Sequence, residues 1–258
     1  NINFAEAGNY TCLITTSVDK VATSTTLIVN GPPNAPGAVR AEDLTSTSVN
    51  LQWTDGDTNG RNILSYKIFG KTNHNRTWQQ LSEIFTPLRT ANNRRVALVN
   101  GLSPWSIYEF RVLAVNELGE GDPSQPSPLY NTLQDKPFKS PSNVGGGGGK
   151  SGTLTLTWDP LPPQDWNAPS IWYKVFYRPE ENYEFEGKEL KSLGNVGMYA
   201  INVGEENYYK KYFVKVQAIN YIGAGPESVP KEIFSAESMP QVQPSLVKAV
   251  PFNSTALN

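Results

Sequence analysis

The stretch of this sequence that most suggests chemistry is a run of five glycines in V-G-G-G-G-G-K-S, from Val144 to Ser151. It misses the nucleotide-binding pattern G-x-x-x-x-G-K-[ST] by one residue, because Val144 stands where the first glycine belongs. A phosphate loop also needs a buried strand before it and a helix after it, whose N-terminal amides bind the phosphates. Here the preceding S-P-S-N is typical of a turn, and the following T-L-T-L-T-W alternates as a strand does. The sequence therefore argues against nucleotide binding and leaves a flexible linker or a glycine-filled part of a folded domain.

A second stretch has the composition of a metal-binding loop. D-G-D-T-N-G, from Asp55 to Gly60, matches the first half of a calcium-binding EF-hand loop. The twelfth position of that loop is Tyr66 instead of the glutamate that completes a calcium site, and the flanking segments are predicted strands. The single histidine, His74, has no cysteine nearby, and no G-x-S-x-G or metal-ligand spacing occurs. We therefore predict no enzymatic activity, no metal site and no cofactor for these residues.

The composition is that of an ordinary globular protein: of the 258 residues, 38% are hydrophobic and 18% are charged. The chain also contains 20 prolines and 21 glycines. This length allows two or more domains, and the frequent turn-forming residues argue against long helices. The formal net charge is -2 and the sequence pI is about 5.6, so no basic surface is expected to attract nucleic acid or anionic membranes. No apolar run approaches the roughly 18 residues of a membrane span. Binding to nucleic acid and direct insertion into a membrane are not expected of this fragment.

An internal repeat of domain length explains where the glycines lie. The pattern P-x-x-V begins three times, at Pro36, Pro141 and Pro244. After the first two of these segments a tryptophan follows at the same distance, Trp53 in one copy and Trp158 in the other. The glycine run therefore replaces residues 40–44 of the first copy, and it lies inside a folded domain, between the first strand and the tryptophan strand. We expect it to mark an edge-strand bulge or the close approach of another backbone.

The remainder of each copy alternates as the strands of a β-sandwich do. The stretch Y-E-F-R-V-L-A-V-N, which begins at Tyr108, aligns with Y-F-V-K-V-Q-A-I-N, which begins at Tyr212, and alternate positions share apolar residues. Earlier in each copy, I-L-S-Y-K-I-F-G aligns with S-I-W-Y-K-V-F-Y. The alternation predicts an all-β fold with the repeated aromatic residues and one leucine in its core. These predicted core residues are Trp53, Tyr66, Leu102, Tyr108, Trp158, Tyr173 and Tyr212.

Each copy has about 100 residues, seven short predicted strands, a tryptophan on the second strand and a tyrosine on the sixth, and so resembles the fibronectin type III sandwich. In the first copy, G-L-S-P-W-S-I-Y places Leu102 before Tyr108 and resembles the tyrosine corner of that family. The second copy has Glu206 at the position of Leu102, which leaves the packing of its corner open. We predict tandem fibronectin type III domains at 31–135 and 136–236. The start of a truncated third domain is predicted at 237–258.

The N-terminal residues resemble a different module. The stretch A-E-A-G-N-Y-T-C, which ends at Cys12, resembles the immunoglobulin signature D-x-G-x-Y-x-C, with Glu6 in place of the aspartate. Residues 1–30 are therefore predicted to be the C-terminal strands of an immunoglobulin-like domain, with Tyr10 in its core. The resemblance implies that Cys12, the only cysteine, forms a disulfide with a cysteine upstream of this chain. The alternative is a reduced core cysteine of a cytoplasmic immunoglobulin domain.

The order of the modules and three local motifs make the chain similar to the contactin family. The motifs are V-N-G-P-P at the immunoglobulin exit, L-x-P-W-x-x-Y-E-F-R-V in the first fibronectin domain and S-N-V-G-G-G-G-G at the start of the second. The resemblance implies a cell-surface glycoprotein that is held by a glycosylphosphatidylinositol anchor and acts in cell adhesion and in septate or axo-glial junctions. The implied partners are neurexin-like membrane proteins and other immunoglobulin-type adhesion molecules.

The predicted role of this segment is that of a semi-rigid stalk. The links N-G-P-P-N-A-P and Q-D-K-P-F-K-S-P are short and contain proline, which restricts their conformations. Two other classes of protein use the same modules. One is the ectodomain of a signalling receptor that carries a kinase or phosphatase domain, and the other is an intracellular scaffold of the muscle type.

Three N-x-[ST] sequons distinguish these alternatives, because only a secreted chain is glycosylated at them. Asn75 lies in a loop between predicted strands, where a glycan would clear the fold. Asn9 alternates with Tyr10 and Cys12 along its strand and is expected to face solvent. The third sequon, Asn253, lies in the truncated third domain.

Overall fold

The computed structural model describes residues 6–190, 194–238 and 248, and it is built almost entirely of antiparallel β-strands. The predicted all-β class is confirmed. Within the described ranges, no helix is long and apolar enough to cross a membrane. The sequon at Asn253 and most of the predicted 237–258 segment lie outside the described residues.

The chain divides into two compact units, one of residues 1–136 with 163–169 and 221–223, the other of residues 137–162 with 170–220 and 224–258. The strands as far as Lys136 are β1 Gly8–Thr15, β2 Lys20–Leu27, β3 Gly37–Glu42, β4 Ser48–Thr54, β5 Ile63–Thr72, β6 Gln79–Ile84, β7 Leu88–Arg89, β8 Arg95–Asn100, β9 Ile107–Asn116, β10 Gly119–Glu120 and β11 Tyr130–Asn131. Those after it are β12 Ser142–Gly146, β13 Thr153–Asp159, β14 Trp172–Arg178, β15 Glu186–Leu190, β16 Met198–Asn202, β17 Lys211–Ile219, β18 Ala224–Glu227 and β19 Lys231–Phe234. Short 3-10 turns lie at Pro163–Asp165 and Glu205–Asn207.

The first unit contains a hairpin and a sandwich. Strands β1 and β2 pair with each other. The sandwich has one sheet of order β3-β4-β8-β7 and a second of order β10-β9-β5-β6, with β11 also paired to β9. Because side chains alternate between the two faces of a strand, the apolar positions of β4, β5 and β9 point together into one core. Trp53 and Tyr66 meet at its centre, with their ring centroids 5.1 Å apart and their planes at 58°.

The second unit repeats this construction. One sheet has the order β12-β13-β16, and the other has the order β15-β14-β17-β18, with β19 also paired to β17. Trp158 and Tyr173 lie 5.4 Å apart at an interplanar angle of 59°, close to the geometry of the equivalent pair in the first sandwich. All the aromatic residues and the leucine predicted for the two sandwich cores are buried, namely Trp53, Tyr66, Leu102, Tyr108, Trp158, Tyr173 and Tyr212.

Tyr10 differs from the sequence expectation, because 51% of its surface is exposed instead of lying in a core. Cys12, two residues further along β1, is exposed as well. The residues the structure describes contribute only β1 and β2 to this module, so no facing sheet covers these side chains. The alternation that marks Tyr10 as a core position is real, but burial also needs a second layer.

The first strand of each sandwich is irregular at the same place. In β3 the register shifts between Gly37 and Arg40, and in β12 it shifts between Ser142 and Gly145. The residue at the bulge has a left-handed φ of 50° in both copies, at Ala38 and at Asn143. The bulge is thus common to both copies and does not depend on the glycine run, which begins only at Gly145.

Candidate functional site

The glycine run allows two backbones to approach each other and has no neighbouring helix that could bind phosphate. A Cβ built on Gly146 would lie 1.9 Å from the carbonyl oxygen of Thr155 in β13, and the φ of Gly146 is +142°. The next amide, that of Gly147, donates a hydrogen bond of 2.9 Å to the same oxygen. Gly146 therefore lies against β13 at a distance that no other residue type permits. The geometry of Gly146 therefore gives the run a structural role, the close pairing of β12 with β13.

The calcium-like loop is occupied by contacts within the first sandwich. The Tyr66 hydroxyl donates a hydrogen bond of 2.5 Å to Oδ1 of Asp55, and the Arg95 guanidinium binds Oδ2 of Asp55 at 2.9 Å. Burial of the phenol, together with the adjacent Asp55 carboxylate, raises the pKa of Tyr66. Asp57 accepts the amide proton of Asn59 and shapes the turn. Asp55 thus balances a cation of the protein itself, and the described residues include no group of three or more side chains that could hold a metal ion.

The tyrosine corner is present in the first sandwich and absent from the second. The amide of Ser103 donates a hydrogen bond of 2.8 Å to the Tyr108 hydroxyl. In the second sandwich the equivalent Tyr212 is equally buried, but its hydroxyl has no hydrogen bond to any described residue. Glu206, which stands at the position of Leu102, lies in the 3-10 turn Glu205–Asn207. The second sandwich therefore has a different corner from the first.

In the second sandwich, the hydroxyl of Tyr173 has different hydrogen-bond partners from the hydroxyl of Tyr66 in the first. The sequence analysis did not predict this difference. Pro160 stands where the first copy has Asp55, so no carboxylate is available at that position. The Tyr173 hydroxyl instead accepts the amide proton of Leu161 at 2.8 Å and donates to the carbonyl of Gly194 at 3.1 Å. The substitution of proline for aspartate is the sequence signal that could have indicated a different bonding partner.

The two described sequons are exposed, as a glycosylation site must be. Asn75 lies in the loop between β5 and β6, where the Thr77 hydroxyl and amide both donate to its side-chain oxygen, at 2.6 and 3.1 Å. Neither of these bonds uses the Asn75 side-chain nitrogen, which is the atom that would carry a glycan. Asn9 is exposed on β1, where its oxygen accepts from the Thr26 hydroxyl at 2.6 Å. His74, beside Asn75, is an exposed loop residue.

Cation–aromatic layers cover the outer face of one sheet in each sandwich, a feature that the sequence analysis did not predict. In the first sandwich the guanidinium of Arg111 lies 4.5 Å above the Trp78 ring. In the second, Phe185 is contacted by Arg178 at 4.4 Å and by Lys215 at 4.0 Å. These side chains are half-buried, so they pack the sheet surface more than they offer it to a partner. Alternating basic and aromatic residues along β14 and β17 are the signal that could have revealed them.

Comparison with known proteins places these features in a family. The fibronectin type III domain model matches residues 34–130. Over the whole chain, the sequence is 45% identical to "Contactin" of Drosophila melanogaster and 35% identical to "Contactin-3" of Homo sapiens, and it covers 19% and 25% of those proteins. The chain thus spans about a fifth to a quarter of the length of these curated relatives. The crystal structure of the chicken CNTN1 FN1-FN3 domains is similar to this chain, with a TM-score of 0.70 and 36% sequence identity. The match covers 80% of this chain and 68% of the chicken chain.

Proposed function

Because the chain belongs to the contactin family, we propose that this segment is a non-catalytic, semi-rigid stalk within a cell-adhesion protein. The proposed domains are an immunoglobulin part at 1–30, fibronectin type III domains at 31–135 and 136–236, and the start of a third at 237–258. The centre of each sandwich is filled by its own tryptophan and tyrosine side chains, which supports a mechanical role over a catalytic one.

The observation that carries the stalk proposal is the attachment of the segment that follows the hairpin. Its first residue, Gly31, donates its amide proton to Asn59 at 3.2 Å and accepts from the Asn116 side chain at 2.8 Å. Asn34 donates to the carbonyl of Asp57 at 2.8 Å. The two prolines between these residues restrict the backbone further. A segment that is bonded to the sandwich in this way transmits orientation, whereas a free linker does not.

The proposal is tested by replacing residues 31–236 in the full-length protein and measuring aggregation of cells that display it. A flexible glycine–serine linker of similar contour length should reduce aggregation, because it no longer holds the distal domains in a fixed orientation. Two unrelated fibronectin type III domains in tandem should restore it. If the unrelated pair fails at equal surface expression, this segment makes a specific contact and the stalk proposal is wrong.

The proposed setting is the outer surface of the plasma membrane, with the parent protein held by a glycosylphosphatidylinositol anchor. We propose neurexin-like proteins and other immunoglobulin-type adhesion molecules as partners, and assembly of septate or axo-glial junctions as the context. A disulfide from Cys12 to a cysteine outside this chain, and glycans at Asn9, Asn75 and Asn253, belong to the same proposal. The exposure of Asn9, Asn75 and Cys12 supports it.

We expect Asn75 to carry a glycan in protein from its native tissue. Intact mass before and after glycosidase treatment, with peptide mapping, measures this directly. Thr77→Ala should abolish the glycan because the sequon loses its hydroxyl, and Thr77→Ser should keep it because the bond to the Asn75 oxygen is retained. A bare Asn75 together with a free Cys12 thiol would contradict an extracellular location and favour an intracellular scaffold.

A further inference from the structure

The loop between β14 and β15 combines an exposed tyrosine with a concentration of negative charge. Tyr183 is 58% exposed, and its hydroxyl has no hydrogen bond to any residue that the structure describes. Four glutamates lie within three positions of it in P-E-E-N-Y-E-F-E, and all four are exposed. They are Glu180, Glu181, Glu184 and Glu186.

The loop holds Tyr183 away from the sandwich. Arg178 donates to the carbonyl oxygens of Glu181 and Tyr183, at 2.8 and 3.3 Å, which fixes the backbone on both sides of the loop tip. Phe185, two residues further on, is packed against Arg178 and Lys215. The apolar anchor of the loop is therefore Phe185, and the Tyr183 ring is not needed for packing.

Tyr177, near the end of β14, is a neighbouring tyrosine whose hydroxyl is not freely accessible. It is half-buried, and its hydroxyl donates a hydrogen bond of 2.6 Å to the Glu186 carboxylate. That bond and partial burial raise the pKa of Tyr177 to about 12. A transferase must break the bond before the oxygen can react, whereas the Tyr183 oxygen is open to solvent.

Other exposed tyrosines lack the acidic surroundings. Tyr208 and Tyr209 follow two glutamates, but Lys210 and Lys211 come directly after them and offset that charge. Tyr209 also stacks on Phe234 at 5.0 Å. Tyr221 is 82% exposed, yet its neighbours in A-I-N-Y-I-G-A carry no charge.

We propose that Tyr183 is a site of tyrosine O-sulfation. The enzymes of the secretory pathway that sulfate tyrosine select exposed phenols with several acidic residues close by in sequence, which is the environment of Tyr183. The sulfonate donor is a nucleotide phosphosulfate. The phenol oxygen attacks sulfur, an S–O bond forms, the S–O bond to the nucleotide phosphate breaks, and the phenol proton goes to the transferase base. The product carries a fixed negative charge, which makes the loop a stronger ligand for a cationic partner surface.

This inference rests on the proposed extracellular function, because the donor and the transferase act in the secretory pathway. The test uses the full-length protein, expressed in cells that sulfate a secreted reporter and labelled with radioactive sulfate. Peptide mapping should find one sulfonate on the peptide that contains Tyr183, and chlorate should remove it. Tyr183→Phe should abolish the label, whereas the matched control Tyr221→Phe should leave it unchanged. Glu181→Gln with Glu184→Gln should reduce labelling several-fold, because the recognition charge is halved.

The glycan on Asn75 reports independently that the chain passed through the secretory pathway. A glycosylated Asn75 with an unmodified Tyr183 overturns the sulfation proposal and leaves the extracellular function intact. If neither modification is present and Cys12 is a free thiol, the proposed function fails and the sulfation proposal fails with it. If neither modification is present but Cys12 forms a disulfide, only the sulfation proposal is overturned. A phosphoryl group on Tyr183, recognised by its removal with phosphatase, also overturns the proposal.

Discussion

Gly146→Ala is expected to lower the free energy of unfolding of the second sandwich by roughly 2–4 kcal/mol. The added Cβ would lie 1.9 Å from the Thr155 carbonyl oxygen, and the φ of +142° is one that residues with a side chain rarely adopt. Strand β12 must therefore separate from β13, which breaks the pairing of Gly146 with Leu156. For a domain of this size the loss corresponds to a melting temperature lower by about 10–20 °C.

The neighbouring glycines supply the controls for this substitution. Gly145→Ala should change stability by less than about 0.5 kcal/mol, because its Cβ would meet only the Thr157 hydroxyl at an ordinary 3.9 Å. Gly148→Ala should cost about 1 kcal/mol, since its φ is +66° but the space beside it is open. Calorimetry of the whole chain measures all three. Equal effects at Gly145 and Gly146 would mean that the backbone of β13 yields easily, and the close approach would then not explain the glycine.

Tyr108→Phe is expected to lower the free energy of unfolding of the first sandwich by roughly 1–3 kcal/mol. The variant keeps the aromatic ring, which stacks on Phe110 with centroids 5.5 Å apart, and removes only the hydroxyl. The amide of Ser103 then loses its hydrogen-bond acceptor in a partly buried position. A buried donor that is left without an acceptor loses the full free energy of its hydration. That loss is larger than the net contribution of an ordinary hydrogen bond to stability.

Tyr212→Phe is the matched control in the second sandwich. Tyr108 and Tyr212 occupy equivalent positions on β9 and β17 and are both 5% exposed. Since the Tyr212 hydroxyl has no hydrogen bond to a described residue, its removal should change stability by less than about 0.5 kcal/mol. Urea unfolding of each variant of the whole chain gives the comparison. A loss at Tyr212 as large as the loss at Tyr108 would contradict the assignment of the corner to the first sandwich alone.

The interior of each sandwich could be predicted from the sequence because burial in a strand follows a period of two. Trp53 and Trp158 are recognisable from their equal spacing after the repeated P-x-x-V, and the positions that alternate with Tyr108 and Tyr212 lie inside as expected. Tyr10 shows the limit of this reasoning. Its spacing marks it as a core residue, but periodicity does not reveal whether a facing layer is present.

The polar contacts could not be predicted in the same way, because they join residues that are distant in sequence. Asp55 meets Arg95 only after β4 and β8 have paired in their particular register, and Ser103 meets Tyr108 only when the corner closes. The loop at Asp55 resembles a calcium site because its acidic and glycine residues are close together in sequence. The cation that Asp55 binds is instead the side chain of Arg95, on another strand. A sequence motif states which ligands are available, and the fold decides what they bind.

The sequence alone determined the all-β class, the repeat, the family resemblance and the placement of the glycine run inside a domain. These all depend on residue types and spacing along the chain, which a single sequence displays. Only the tertiary structure decided that Gly146 is the glycine of the run whose Cβ would collide with the neighbouring backbone, that the second sandwich lacks the tyrosine corner, and that Tyr183 is exposed in an acidic loop. Each of these depends on the distance between atoms of different strands or loops, and that distance is set by register, bulges and packing.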